Sequence, residues 1–149
     1  MSLQKQVMTA MKEAMKAKDT NALTSLRAIK SAILLAQTES GAKEELTEDE
    51  ELKILQKLVK QRKDSAAIFT EQGRDDLAQP ELDQAKVIEQ FLPEQLTEEE
   101  IEKVVVMTID DIGASGMKDM GKVMGIVSKE LAGQADGKTI SAIVKSKLS

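Results

Sequence analysis

The sequence contains no cysteine, no histidine, no tryptophan and no tyrosine, and its only phenylalanines are Phe69 and Phe91. Without cysteine there is no disulfide framework, no thiolate nucleophile and no sulfur ligand for zinc or an iron–sulfur cluster. Without histidine there is no imidazole general base and no imidazole metal ligand. Two phenylalanines inside apolar helical patterns cannot form a stacking platform for single-stranded nucleic acid. No run approaches the roughly 18 apolar residues of a membrane span, so no membrane partner is expected. These absences remove most catalytic constellations, and no catalytic residue, metal site or cofactor is expected.

What is present is helical and charged. The 149 residues are 32% charged and 41% hydrophobic, the composition of a folded domain or two small ones. Formal net charge is −5, but residues 113–149 carry Lys118, Lys122, Lys129, Lys138, Lys145 and Lys147 against Asp119, Glu130 and Asp136, net +3. The start, Met1 to Lys18, is rich in Met and basic residues. It has no apolar stretch leading to a small-residue cleavage site, and Glu13 argues against a transit peptide; the expectation is a cytoplasmic protein.

Apolar residues recur at helical spacing nearly throughout, and no segment alternates as a strand does, which predicts an all-α fold. Helix one spans Leu3 to Lys18, with Leu3, Val7, Met11, Ala14 and Met15 inward. Helix two follows Asp19 and Thr20 as N-caps, turns Leu23, Leu26, Ile29, Ile33 and Leu34 inward and ends near Ser40-Gly41. Thr47 and Glu50 form a capping box at the start of helix three, whose stripe is Leu52, Leu55, Leu58, Val59, Ala66 and Phe69; Gly73 is its left-handed cap. Helix four holds Leu77, Leu82, Ala85, Ile88 and Phe91. Pro80 must sit in its first turn or kink it, and Pro93 closes it.

Residues 93–96 read as a linker between an N-terminal four-helix bundle-like domain, 1–92, and a small three-helix domain, 97–149. Thr97 and Glu100 suggest a second capping box, and helix five turns Ile101, Val104, Val105, Ile109 and Ile112 inward before Gly113. Helix six starts at Asp119 as N-cap and ends at Leu131; helix seven starts at Asp136-Gly137 and carries Ile140, Ile143, Val144 and Leu148.

The candidate site lies in these last helices. At about 100° per residue, Lys118, Lys122 and Lys129 fall within about 40° of one another, with Gly121 and Gly125 beside them. Met120, Val123, Met124, Val127 and Leu131 lie opposite. Helix seven repeats the division, with Lys138 and Lys145 opposite Ile140, Ile143 and Val144. A helix-interior glycine costs about 1 kcal/mol relative to alanine, so Gly121 and Gly125 call for a use, such as close approach of a neighbouring helix or of a sugar–phosphate chain. One reading is a phosphate-contacting surface, with Gly137 and the amides of residues 135–138 as further anion donors. The other is ordinary solvated helix faces. The acidic runs Glu48-Asp49-Glu50-Glu51 and Glu98-Glu99-Glu100 suit first helical turns rather than metal binding. Lys60-Gln61-Arg62-Lys63 with Arg74 is a second possible anion site or a solvated face.

At these residues the chain resembles a family. Lys118-Asp119-Met120-Gly121-Lys122-Val123-Met124-Gly125, then Gly133-Gln134-Ala135-Asp136-Gly137-Lys138, Val144-Lys145 and Leu148, resemble the GatB/YqeY motif. The likeness to YqeY proteins extends upstream through Leu26-Arg27-Ala28-Ile29-Lys30-Ser31, Gln61-Arg62-Lys63-Asp64-Ser65-Ala66, Gly73-Arg74 and Phe91-Leu92-Pro93. The resemblance implies a C-terminal domain similar to the tRNA-contacting tail of the B subunit of tRNA-dependent amidotransferase, with an added N-terminal bundle. It therefore implies tRNA as partner for Lys118, Gly121, Lys122, Gly125, Lys129, Gly137, Lys138 and Lys145. The alternatives are a protein-interaction module whose glycine face docks a helix of another protein, and an accessory to a carbon–nitrogen ligase using glutamine as amido donor; a protein partner on the N-terminal bundle is a separate expectation. The chain has no counterpart of the ligase cradle or of the amidase subunit, so that chemistry is not expected of it alone.

Overall fold

A computed structural model describes residues 2–39, 41 and 45–149. Met1 lies outside the described residues, as does Ser40, one of the two residues at which the sequence ends helix two. Among the described residues every regular element is helical, as expected: α1 Leu3–Ala17, α2 Thr20–Glu39, α3 Glu48–Glu71, α4 Asp75–Glu89, α5 Glu98–Ile112, a single 3-10 turn Met117–Asp119, α6 Met120–Glu130 and α7 Gly137–Leu148. They form two compact units, Met1–Leu92 and Pro93–Ser149.

In the first unit the helix ends are set by local chemistry. Ser2 Oγ accepts the Lys5 amide at 3.3 Å, and the Leu3 amide donates to Glu51 Oε2 at 2.9 Å, so a carboxylate of α3 helps cap α1. Lys18 closes α1 in the left-handed region, φ 55°, and Asp19 Oδ1 accepts the Ala22 amide at 3.0 Å to open α2. The Thr47–Glu50 capping box is complete, with bonds of 3.2 and 2.7 Å in the two directions. Gly73, φ 71°, ends α3, and the Arg74 amide reaches the Phe69 carbonyl at 2.8 Å, the six-to-one bond of a Schellman turn.

Leu26, Ile29, Leu55 and Ile88 are fully buried at the centre of this unit, with Leu3, Val7, Ile33 and Ala85 around them. Four residues assigned inward from the sequence are partly exposed instead: Met15, Leu34, Leu77 and Leu82. Each flanks a narrower contact line. On α4 that line is Ala78, Ala85 and Ile88, whose small members let the helix approach α2 and α3, leaving Leu77 and Leu82 at the rim. Pro80 lies inside α4, past its first turn, and the helix continues through it. The lost bond falls on the carbonyl of Asp76, an exposed residue. After Glu89 the chain tightens through Gln90, Phe91 and Leu92, each bonded three residues back, before Pro93.

The second unit has its own core of Ile101, Val105, Val123, Val127, Leu131, Ile140, Val144 and Leu148. Residues 93–96 are not free connecting chain. The Leu96 amide donates to the Gln134 carbonyl at 3.0 Å, and Gln95 Nε2 donates to the Gly133 carbonyl at 2.6 Å. The capping box at α5 is half formed: Thr97 Oγ1 accepts the Glu100 amide at 3.2 Å, but Glu100 returns its carboxylate to the Thr97 hydroxyl rather than to the backbone. Gly113, φ 66°, closes α5, and the Ala114 amide bonds the Ile109 carbonyl. Thr108 is buried on α5, where its hydroxyl is satisfied by the Val104 carbonyl at 2.9 Å.

Candidate nucleic-acid interface

The segment 117–131 places Val123, Val127 and Leu131 in the core, with Met120 and Met124 partly buried beside them. This is the apolar side read from the sequence. Lys122, Lys129, Gly121 and Gly125 occupy the exposed side of α6. Lys118 precedes the helix, in the 3-10 turn, so its bearing differs from that of a continuous helix. Asp119 is not a side-chain cap of α6. Its carboxylate instead accepts the Ser115 amide at 3.0 Å and holds the loop that delivers Lys118.

The two glycines answer no internal need. Neither has a positive φ, and a Cβ built on Gly121 or Gly125 would meet nothing within 4 Å. The neighbouring-helix use is thereby removed for these positions, and a strip of bare backbone beside Lys122 and Lys129 faces solvent. Lys118, Lys122, Lys129, Lys138 and Lys145 form no ion pair among the described residues, whereas Lys147 is held by Glu102 of α5 at 2.6 Å.

Helix α7 fits the anion reading less well. Gly137 opens the helix and is exposed. Asp136 Oδ1 accepts the Thr139 amide at 2.8 Å and Oδ2 accepts its hydroxyl at 3.1 Å, so a carboxylate already occupies the amide end where a phosphate would sit. Lys138 borders a groove of about 390 Å³ together with Glu98, Glu102, Ala142 and Lys147, on the α5 side. Lys145, seven residues from Lys138, continues the exposed face of α7. The structure thus brings Lys122, Lys129, Gly121 and Gly125 into one strip on α6 and sets Lys138 beside two glutamates.

The remaining candidates are accounted for by internal partners. Lys60 pairs with Asp64 at 2.7 Å, Lys63 with Glu89 at 2.7 Å, and Arg62 bonds Gln84 and the Leu58 carbonyl. Arg74 grips Asp76 with two bonds of 3.0 Å, and its guanidinium holds that carboxyl below the ordinary carboxylate range. The second anion site suggested by the sequence has therefore lost most of its cations to neighbours. Of the acidic runs, Glu50 and Glu51 serve the caps described above, and no group of three metal-ligating side chains occurs among the described residues. No helix among them is long and apolar enough to cross a membrane.

These features define an all-helical chain of two units whose second unit displays a lysine and glycine strip on one helix. The chain belongs to the Yqey-like protein family, whose model matches residues 4–148. It is 36% identical over 124 residues to altered inheritance of mitochondria protein 41, mitochondrial, of Clavispora lusitaniae, covering 81% of this chain and 69% of that one. The protein of the same name from Kluyveromyces lactis is 32% identical over 138 residues, 91% and 70% of the two chains. A glutamyl-tRNA(Gln) amidotransferase subunit of Thermococcus gammatolerans is 38% identical over 84 residues, 54% of this chain but 13% of that protein. The expectation of cytoplasmic placement is overturned by the Clavispora and Kluyveromyces relatives, which bear a mitochondrial designation. The lack of a leader pattern in Met1–Lys18 carried no information on compartment, because from Leu3 that stretch is a core helix.

Proposed function

We propose that this protein is a non-catalytic, tRNA-associated protein whose second unit meets the phosphate backbone through Lys118, Lys122 and Lys129, with Gly121 and Gly125 admitting a close approach. The observation that carries the reading is the α6 strip, in which unpaired lysines flank glycines that have no packing role. Lysines act there as point charges on phosphates, and exposed backbone lets a sugar–phosphate chain come near. Lys138, Lys145 and Gly137 form its margin, weakened by Asp136, Glu98 and Glu102. Kinship over 84 residues with a protein named for glutamyl-tRNA(Gln) supports tRNA as the polyanion. That match leaves most of the amidotransferase protein without a counterpart, and the absence of cysteine and histidine supports binding rather than amide chemistry.

Contacts of this kind read A-form shape rather than sequence. Replacing Lys122 by alanine is expected to weaken binding to any tRNA and to lower the slope of log affinity against log salt by about one. Filter binding over a salt series measures this. No retention of tRNA by the wild-type protein at low salt would overturn the proposal, and an unchanged slope for Lys122→Ala would overturn the assignment to α6.

A further inference from the structure

The last 37 residues are not the only positive segment. Residues 1–39 hold six basic side chains against three acidic ones, net +3, the same balance as 113–149, whereas residues 40–112 hold nine against twenty. The acidity of the chain therefore belongs to its middle, and α1 with α2 forms a second basic element that the tRNA reading of α6 does not use.

The positive charge on α1 and α2 is ordered. On α1, Lys5, Lys12 and Lys16 fall within about 40° of one another, opposite the buried Leu3, Val7 and Ala14. They make a row about 16 Å long at 1.5 Å per residue. Met8 lies on the flank of this row that faces α2, since Lys5 and Met8 line one groove of about 290 Å³ with Ile33 and Gln37. Met15 follows Met8 by seven residues along that flank, and Lys30 precedes Gln37 by seven along the facing flank of α2. Arg27 and Leu34 lie just outside Lys30 on the exposed side of α2. The α1–α2 pair thus forms a valley floored by Met8 and Met15, with Lys5, Lys12 and Lys16 on one bank and Arg27 and Lys30 on the other.

None of the five cations forms an ion pair among the described residues. Of the nearby acids, Glu13 lies on the far flank of α1, Asp19 caps α2 and Glu51 caps α1, while Glu45 and Glu51 line the groove that Lys5 and Met8 border. Two cationic rows that form no ion pair among the described residues, with Glu45 and Glu51 lining the groove at Lys5, fit an extended polyanion. A lipid surface is less well matched. The apolar stripe of α1 that would enter a bilayer is turned into the core, and only half-exposed methionine and leucine side chains are left outside.

Resting on the tRNA reading of the second unit, we infer that the α1–α2 valley is a second phosphate-contacting surface for the same class of RNA, formed by Lys5, Lys12, Lys16, Arg27 and Lys30. Each phosphate neutralised releases condensed counterions and adds its own increment to the salt dependence, so the two surfaces are separable by experiment.

The test uses the full chain, unfractionated tRNA and a salt series, with three variants. The triple substitution Lys5→Gln, Lys12→Gln, Lys16→Gln, all on exposed positions, is expected to keep the helical circular dichroism and to lower the slope by about two to three. The apolar substitution Met8→Gln, Met15→Gln removes no cation and reads whether an apolar contact, rather than charge, holds the occupant. Lys122→Ala reports on α6 in parallel. A normal slope for the triple variant with a reduced one for Lys122→Ala overturns the valley and leaves the α6 reading standing; the reverse pattern retains the valley and removes α6. Absence of tRNA binding by the wild-type protein removes both. Co-sedimentation with phosphatidylcholine vesicles containing phosphatidylserine, lost in both valley variants, would overturn the inference in favour of an anionic membrane. Loss of tRNA binding on the methionine substitutions alone would likewise overturn it, in favour of an apolar partner.

Discussion

At the scale of single residues, Asp136 decides how much of α7 can take part in anion binding. Its carboxylate satisfies the Thr139 amide and places a negative charge where the helix dipole is positive. Replacing Asp136 by alanine is expected to destabilise the protein by about 1 kcal/mol through loss of the cap, seen as a lower thermal midpoint. Asp136→Asn keeps a capping oxygen and removes the charge. It is expected to leave stability nearly unchanged and to tighten tRNA binding at low salt, an effect that fades as salt is raised. If the asparagine variant binds tRNA as the parent does, the N-terminus of α7 lies outside the interface. The sequence made Asp136 legible as a cap, because an acidic residue before a glycine and an apolar period is a recognisable helix start. That the same side chain competes with a bound phosphate follows only from the geometry.

At the scale of elements, Gly121 and Gly125 set stability against function. Both have ordinary helical backbone and open space where a Cβ would stand, so alanine at the two positions is expected to stabilise the protein by about 1–2 kcal/mol in chemical denaturation. If the bare strip admits a sugar–phosphate chain, the same double variant is expected to bind tRNA more weakly. Unchanged affinity would remove the glycines from the contact. Helix positions and most ends were readable because caps are local: Thr47 with Glu50, Gly73 and Gly113 each act within a few residues. What was not readable depends on tertiary partners. Met15, Leu34, Leu77 and Leu82 continue an apolar period, yet which part of a broad stripe is covered is decided by the neighbouring helix. Asp119 is a good N-cap type, but the amide it bonds belongs to Ser115, at a loop geometry that no spacing rule predicts. Likewise, the basic run 60–63 reads as available for anions in the sequence, whereas Asp64, Glu89 and Gln84 engage it in the fold.

At the scale of the whole molecule, net charge is a poor guide to partners. The chain is acidic overall, yet its first 39 and last 37 residues are each net positive, and the compensating acidity lies in between. Much of that acidity does local structural duty at the first turns of α3 and α5, where it complements the helix dipole. A polyanion meeting α6 or the α1–α2 valley therefore encounters cations with little local opposition, and the global figure of −5 describes neither surface.

The bond from the Leu96 amide to the Gln134 carbonyl has a further consequence. Leu96 precedes α5 and belongs to no helix, so its amide would ordinarily be among the fastest to trade its proton for deuterium. Here that proton is released only when the chain at Leu96 parts from the turn after α6, a turn also held by Gln95 on the Gly133 carbonyl. In a deuterium-exchange experiment Leu96 is expected to be protected like the interior amides of α5 and α6, while Glu94 exchanges freely. This slow amide would serve as a clock for the opening of the second unit, readable with and without tRNA.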